Sequence, residues 1–215
     1  MWHTDLANLR PRHDQLLTEV DRRRRAGLRR QDDRDRLTLG IALARLGAAN
    51  ELAVAVAEVE LDRTCPRCGG AHGKPVLTTR RAHLSIAHSA GTVAVAVCRP
   101  VPVGLDVEAR TAADPALAAL VRPERPPTDP QHALQLWCRM ESAVKATGDG
   151  LLVPIQQVRV SEADQPPRLL GYPGRRLEVS MHDLTLRPGY AAALSVLTAE
   201  PVTVLTRDAT ALLGL

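Results

Sequence analysis

The sequence predicts a mixed α/β (α+β) protein in which each half of the chain supplies a helix followed by small antiparallel strands. Residues 32–47 and 131–147 have the apolar spacing of helices, and short apolar runs separated by turn residues follow both segments. The chain of 215 residues is 45% hydrophobic, which is normal for a globular protein that buries a core. The two halves contain no sequence repeat, so this order of elements is all that suggests an internal symmetry.

The first half is predicted to begin with two helices. Residues 4–25 carry leucines at helical spacing, and the segment ends in a run of charges that is typical of a solvated face. The helix at 32–47 begins with acidic side chains, which the helix dipole favours. Residues 51–61 fit a helix or a strand, and 65–75 are predicted to form a loop. Four apolar runs between turn signals then predict a small sheet: residues 75–79, 82–88, 92–98 and 101–110.

The second half repeats this order after a proline-rich segment. Residues 111–130 are predicted to hold a short helix and a loop. Residues 131–147 are the strongest predicted helix, and Gly148 is expected to close it. Residues 177–198 are predicted to form strands, with a hairpin turn at 181–183 and another turn at 187–189.

Composition narrows the classes of protein to consider. No apolar run approaches the length of a membrane span, and the N-terminal segment is too polar for a signal peptide, so we expect a cytoplasmic protein with no membrane partner. The net charge is +4, and nearly all of the 28 basic residues are arginines. Lys74 and Lys145 are the two lysines. Both are candidate functional residues, because lysine is a compact charge whose pKa the protein can shift.

Acidic side chains and a lysine form the main chemical constellation. Asp106 and Glu108 alternate on one face of the strand at 101–110, where two carboxylates repel each other unless a positive charge compensates them. Trp137, Glu141 and Lys145 line one face of the predicted helix. Taken by themselves, the helix residues Glu141 and Lys145 could form an ordinary ion pair on a solvated face. With the strand added, three carboxylates predict a site for Mg²⁺, which prefers oxygen ligands and substrate phosphates.

Other residues suit phosphate binding or a different metal. Lys74 lies beside glycines, and His88 follows a strand, although a structural role explains a lone histidine equally well. Cys65 and Cys68, with His72 and Cys98, could hold zinc. A lone Cys-x-x-Cys lacks the second pair of most such sites, so reduced loop thiols are the favoured interpretation.

Four motifs in this order resemble the 4′-phosphopantetheinyl transferases of the surfactin-synthetase-activating type. They are "HGKP" at 72–75, "LSIAHSAG" at 84–91, "VGLDVE" at 103–108 and "WCRMESAVKATGDGL" at 137–151. The resemblance runs from about Arg36 to about Val196. The strand and helix motifs are specific when they occur together, whereas either alone is weak.

The resemblance implies a pseudo-dimer of two similar subdomains, residues 1–107 and 108–215, with the active site between them. It implies transfer of phosphopantetheine from coenzyme A (CoA) to a serine of an apo acyl or peptidyl carrier protein, which leaves adenosine 3′,5′-bisphosphate. The chain is then expected to act as a monomer in the cytoplasm, in fatty-acid, polyketide or nonribosomal-peptide synthesis. CoA and the carrier are the expected partners.

The same resemblance assigns roles to single residues. Asp106, Glu108 and Glu141 correspond to the ligands of Mg²⁺, which Mn²⁺ could replace. Lys145 corresponds to the catalytic lysine, and Glu141 is also the expected general base for the carrier serine. The CoA-binding residues correspond to Arg36, Lys74 and His88.

Two positions depart from the family pattern. Met140 replaces a lysine, and Ala87 replaces the serine that precedes the histidine. A lysine at 140 is expected to reach CoA or the carrier, so restoring it should strengthen binding. Two alternatives stay open. One is a CoA-binding homologue with weak or lost transferase activity. The other is a basic nucleic-acid-binding protein, which the few aromatics and the acidic residues among the arginines disfavour.

Overall fold

The chain divides into two compact units in the computed structural model, which describes residues 1–214. One unit contains Met1–Pro100 and the residues from Val204 onward, and the other contains Val101–Thr203. The boundary expected from the sequence, between residues 107 and 108, lies inside a strand. This strand, Val103–Ala109, stays in one unit because it pairs along its whole length with Tyr190–Val196.

The elements are short, apart from two long helices. The helices are α1 (Glu19–Ala26), α2 (Gln31–Leu52), α3 (Pro115–Val121) and α4 (Pro130–Thr147). The strands are β1 (Trp2–Asp5), β2 (Leu61–Asp62), β3 (Val76–Leu77), β4 (His83–Ser89), β5 (Thr92–Cys98), β6 (Val103–Ala109), β7 (Arg159–Val160), β8 (Leu169–Gly171), β9 (Ser180–Asp183), β10 (Tyr190–Val196) and β11 (Arg207–Asp208).

In the first unit, α2 packs against a four-stranded sheet of order β11-β1-β5-β4. The pairs are antiparallel except that β1 runs parallel to β11. Leu39 and Leu43 of α2 lie in the same buried cluster as Leu84 of β4 and Val93 of β5. A separate two-stranded ribbon, β2 with β3, carries the loop that contains Cys65 and Cys68.

In the second unit, α4 packs against a three-stranded antiparallel sheet of order β6-β10-β9, and β7 pairs with β8. Leu136, Met140 and Ala143 of α4 are buried in its core with Val160 and Met181. The predicted class is therefore confirmed: a mixed α+β protein with small, mainly antiparallel sheets packed by helices.

Both long helices occur where the sequence predicts them. Helix α4 ends at Gly148, which has a φ of 79° and donates its N–H to the Val144 carbonyl, as expected for a glycine after the last turn. Helix α2 continues beyond residue 47 to Leu52 and ends at Ala53, in the left-handed conformation. The ambiguous segment 51–61 is thus divided between the end of α2, a short 3₁₀ turn and the start of β2.

The helix predicted at residues 4–25 is wrong over most of its length. Only Glu19–Ala26 is α-helical, and this helix starts at a capping box between Thr18 and Asp21. The preceding residues form β1 and two 3₁₀ turns. Strand β1 finds its partner in β5, far along the chain, and periodicity within a short window cannot reveal such a pairing.

The hairpin turn predicted at residues 181–183 is also wrong. These residues belong to β9, where Met181 pairs with Ser195 of β10. The turn predicted at 187–189 is confirmed, with Gly189 at a φ of 84° just before β10 begins.

Among the described residues, each helix is either too short or too polar to extend through a lipid bilayer.

Candidate active site

Helix α4 lies directly on strand β6 because residue 104 has no side chain. A Cβ atom at Gly104 would lie 2.0 Å from the carbonyl oxygen of Ser142 and 2.2 Å from the amide nitrogen of Ala146. No real contact is that short, so the approach requires glycine. Alternate residues of a strand share a face, which places Asp106 and Glu108 on the side of β6 that faces α4.

The neighbouring strand leaves room for these acidic side chains. Asp106 pairs across the sheet with Ala193 of β10, and Glu108 pairs with Ala191. Residues directly opposite in a sheet lie on the same face. The face beneath α4 therefore carries small side chains next to the two carboxylates.

Lys145 of α4 supplies the positive charge beside the strand carboxylates. Its Nζ lies 2.5 Å from Oδ1 of Asp106, whose side chain is only 5% exposed. The other carboxylate oxygen, Oδ2, is buried and has no hydrogen-bond partner within the described part of the chain. A buried oxygen in that state is costly, so Asp106 retains the capacity to bind a further cation or donor.

Glu141 lies one helical turn before Lys145 and is half-buried. Burial raises its pKa, and the charge of Asp106 adds to this effect, while Lys145 opposes it. For Lys145 the effect of burial is to lower the pKa, but Asp106, Glu141 and Glu108 outweigh it and the pKa is raised. The ammonium group therefore stays charged at neutral pH in a locally negative site.

The three carboxylates do not form a closed ligand cluster in this structure. Among the described residues, one group of three His, Cys, Asp or Glu side chains has all its ligand atoms within 4.8 Å of one another: Cys65, Cys68 and His72. Lys145 is instead bound to Asp106. The three carboxylates carry three negative charges and Lys145 carries one positive charge, so the group has an excess of two negative charges.

A shallow groove of about 380 Å³ begins at Glu108. Its walls are mostly apolar and include Leu117, Leu120 and Leu134 together with Trp137 of α4. Trp137 is half-buried and lies one turn before Glu141, so the predicted stripe Trp137–Glu141–Lys145 joins this groove to the carboxylates.

Two of the predicted CoA-binding residues lie at the end of β4. Arg36 of α2 makes an ion pair with Asp33, at 2.7 Å, and donates a hydrogen bond to the Ala90 carbonyl, at 2.9 Å. The pKa of Asp33 is lowered, chiefly by the hydrogen bond from Arg36, and the charge of His88 adds to this effect. His88 is exposed on β4. Because Arg36 and His88 both act on Asp33, the two cations lie near the same aspartate.

Lys74 lies near the opposite end of the same strand. Together with burial, its charge lowers the pKa of His83, the first residue of β4. Five strand steps separate His83 from His88, a distance of about 16 Å. The structure therefore does not gather Lys74 with Arg36 and His88. Burial lowers the pKa of Lys74 itself to about 8.

Two arginines outside the three predicted CoA-binding residues, Arg24 and Arg63, lie close enough for their charges to interact. Burial, and then the nearby charge of Arg24, lower the pKa of Arg63 to about 10, while Asp21 opposes the shift. Nη1 of Arg24 and Nε of Arg63 are buried, and neither has a hydrogen-bond partner among residues 1–214. The Arg63 carbonyl accepts a hydrogen bond from the Gly73 amide, and Lys74 is the next residue in the chain. The arginine run at 22–30 hints at Arg24, but nothing local marks Arg63.

The segment that carries the acidic site also matches a known protein family. Residues 102–195 match the 4′-phosphopantetheinyl transferase superfamily. This segment is less than half of the chain, but it contains β6, α4 and all of β10 except its last residue. Asp106, Glu108, Glu141 and Lys145 all lie within it. The match supports the superfamily and phosphopantetheinyl transfer in general. No curated protein matches the chain.

The two departures from the transferase pattern both face the protein interior. Met140 is fully buried in the core of the second unit, which disfavours the expectation that a lysine there would reach a ligand. Ala87 is 2% exposed on β4, and strand alternation turns it away from the exposed His88. Neither departure replaces one of the expected metal ligands or the expected general base.

Proposed function

We propose that the protein transfers the 4′-phosphopantetheine group of CoA to a serine of an apo acyl or peptidyl carrier protein, as a cytoplasmic enzyme of the surfactin-synthetase-activating type. The observation that carries this proposal is the superfamily match over a segment in which buried Asp106 contacts Lys145 one turn from Glu141. A solvated Glu–Lys pair, the simpler interpretation of the helix, does not account for a lysine bound to a buried aspartate.

The acidic residues fit a hard divalent cation such as Mg²⁺. Oδ2 of Asp106 is buried without a partner in the described chain, and the carboxylates exceed the ammonium group by two charges. Asp106, Glu108 and Glu141 would hold the ion, with Mn²⁺ as an alternative. Once bound, it would neutralise charge on the pyrophosphate of CoA.

Glu141 is the proposed general base. Its raised pKa makes it a better proton acceptor than an ordinary surface glutamate. It takes the proton of the carrier serine. The serine oxygen then forms a bond to the phosphorus on the pantetheine side, and the bond from that phosphorus to the bridging oxygen breaks.

Lys145 stabilises the leaving group in this proposal. Adenosine 3′,5′-bisphosphate departs with the bridging oxygen, and negative charge develops there as the bond breaks. An ammonium group fixed by Asp106 needs no reorganisation to meet that charge, which is the condition for effective electrostatic stabilisation.

CoA carries several phosphate groups, and the first unit offers cations at two places. Arg36 and His88 form one, and Arg24 and Arg63 form the other, with Lys74 as a separate cation near His83. The buried guanidinium nitrogens of Arg24 and Arg63 that have no partner in the described chain suit phosphate oxygens as acceptors. We assign both groups to CoA binding.

The groove at Glu108 and Trp137 suits an uncharged, extended chain. Pantetheine is such a chain, and its amides and thiol would lie along mostly apolar walls. The helix of a carrier protein could cover the same groove through the exposed Leu120. Substitution of Leu120 by aspartate should therefore raise the KM for CoA if pantetheine occupies the groove. It should raise the KM for the carrier if the carrier helix does.

A direct test is to incubate the protein with CoA, Mg²⁺ and apo carrier domains from fatty-acid, polyketide and nonribosomal-peptide systems. Release of adenosine 3′,5′-bisphosphate that requires both CoA and a carrier supports the transferase. CoA binding without release from any carrier favours the CoA-binding homologue instead. Loss of activity with EDTA and its return with Mg²⁺ support the metal, whereas full activity in chelator contradicts it.

A further inference from the structure

The loop between β2 and β3 has no core of its own. Residues 63–75, all of which the structure describes, form neither helix nor strand and bury no apolar side chain completely. Parts of Arg63 and Lys74 are buried, but neither side chain is apolar. Fixing such a chain in one conformation costs about 1–2 kcal/mol per residue in backbone entropy. Small segments that bury little apolar surface depend on cross-links, disulfides or metal ions for their order.

Three potential metal ligands meet within this loop. The ligand atoms of Cys65, Cys68 and His72 all lie within 4.8 Å of one another, and Sγ of Cys68 is 2.9 Å from Nε2 of His72. Around a tetrahedral zinc ion, with bonds of about 2.3 Å to sulfur and 2.0–2.1 Å to nitrogen, such atoms are about 3.6–3.8 Å apart. Small side-chain adjustments are enough to reach that arrangement.

The backbone of the loop is shaped around the first cysteine. The amides of Arg67 and then Cys68 donate hydrogen bonds to the Cys65 sulfur and lower the pKa of its thiol. The Cys65 carbonyl accepts from Gly69, at 2.9 Å, and its amide donates to Gly70, at 2.8 Å. Amide donors of this kind orient a thiolate as a ligand and stabilise its charge.

Glycines make room for the three side chains. Gly69 has a φ of 72°, which other residues rarely adopt. A Cβ atom at Gly70 would lie 3.0 Å from Cδ2 of His72 and 3.4 Å from Sγ of Cys68. The backbone at Gly70 therefore packs directly against two of the ligands, and a larger residue would push them aside.

We propose that Cys65, Cys68 and His72 bind one zinc ion, which orders the loop that carries Lys74. Two thiolates and a neutral imidazole are ligands that Zn²⁺ prefers, and the two thiolates balance its charge. Water takes the fourth position. Binding releases the two thiol protons and involves no redox change. The site shares no residue with the acidic group on β6 and α4, and this inference does not depend on the transferase proposal.

A disulfide between Cys65 and Cys68 is the competing arrangement. It would use only the two sulfurs and would give His72 no role, although His72 contacts Cys68. Mg²⁺ is not a competing occupant of this loop, because Mg²⁺ prefers oxygen ligands and thiolates prefer softer ions. The two arrangements predict different metal contents and different masses for the purified chain.

The test is the metal content of the full chain after exposure to Zn²⁺ and removal of unbound metal. We expect about one zinc ion per chain. The double variant Cys65→Ser with Cys68→Ser, and separately His72→Ala, should lose it. Cys98→Ser is the matched control, because Cys98 is a partly exposed cysteine on β5 outside the cluster, and this variant should keep the ion.

Replacement of zinc by Co²⁺ provides a readout from the unaltered chain. The cobalt protein should show the absorption of tetrahedral, thiolate-bound Co²⁺, and removal of metal should speed amide hydrogen exchange in residues 63–75. A wild-type chain that binds neither ion, or a double serine variant that binds as much zinc, overturns the proposal. A chain whose mass is lower by the two hydrogens of a Cys65–Cys68 disulfide overturns it as well.

Discussion

Nζ of Lys145 and Oδ1 of Asp106 lie 2.5 Å apart, although 39 residues separate them in the chain. Asp106 is almost completely buried, whereas the lysine side chain is about one-third exposed. The pair couples β6 to α4, and it places a fixed positive charge beside the carboxylates that the sequence marks for phosphate chemistry.

The first prediction concerns the stability of this pair. Lys145→Met leaves a buried aspartate without its partner and should lower the free energy of unfolding by about 1–3 kcal/mol, less than a fully buried pair because Lys145 is partly exposed. Urea denaturation measures the change. Adding Asp106→Asn should recover part of the loss, since the double variant buries no unpaired charge. A Lys145→Met protein as stable as wild type would contradict the structural role of the pair.

The second prediction concerns the close contact of β6 with α4. Gly104→Ala adds a Cβ where backbone atoms of Ser142 and Ala146 already lie, so the helix must move away from the strand. We expect a fall in Tm and a loss of transfer activity, because Asp106 and Lys145 separate. Gly171→Ala is the matched control on β8, where the nearest atoms would lie at 3.7 Å, an ordinary contact. Equal Tm values for the two variants would contradict the packing described.

The third prediction reverses the expectation from sequence for position 140. Met140→Lys would place an ammonium group in the core of the second unit, so it should destabilise the protein by about 3 kcal/mol or more without improving CoA binding. Met140→Leu, which keeps the apolar volume, should cost less than about 1.5 kcal/mol. Thermal denaturation and the KM for CoA measure both effects. A Met140→Lys protein that stays stable and binds CoA more tightly would show that residue 140 reaches the ligand.

The fourth prediction follows from the pKa of Lys74, which burial lowers to about 8. Lys74 then loses its charge as the pH rises through 8, so kcat/KM for CoA should fall by about tenfold between pH 7 and 9 if this lysine binds a phosphate. Lys74→Arg keeps its charge over that range and should lack this fall. Identical pH profiles for the wild type and Lys74→Arg would exclude Lys74 as the titrating group.

The sequence predicts elements whose signals are local. The apolar spacing of α2 and α4 and the alternation in β4, β5 and β6 are visible within short windows, and the structure contains all five elements. Periodicity fails for β1, because its partner β5 lies about 90 residues away. It also cannot decide whether an apolar residue such as Met140 faces a core or a ligand.

The candidate site was predictable to a similar extent. The motifs identify Asp106, Glu108, Glu141 and Lys145 one by one, but not the contact between Lys145 and Asp106. That contact depends on the missing side chain at Gly104 and on the small residues of β10. Arg63 carries no local signal, because its neighbour Arg24 belongs to another element and only the fold brings the two charges together.

The most direct test of the central proposal is the mass of an apo carrier protein after incubation with CoA, Mg²⁺ and either wild type or Glu141→Gln. The wild type should add one phosphopantetheine group to the carrier serine. Glu141→Gln should be slower in kcat by about a hundredfold or more, because it removes the base and weakens a metal ligand. Glu200→Gln, an exposed site in the same unit, should match the wild type. An unmodified carrier of every class, or a normal kcat for Glu141→Gln, would contradict the proposal.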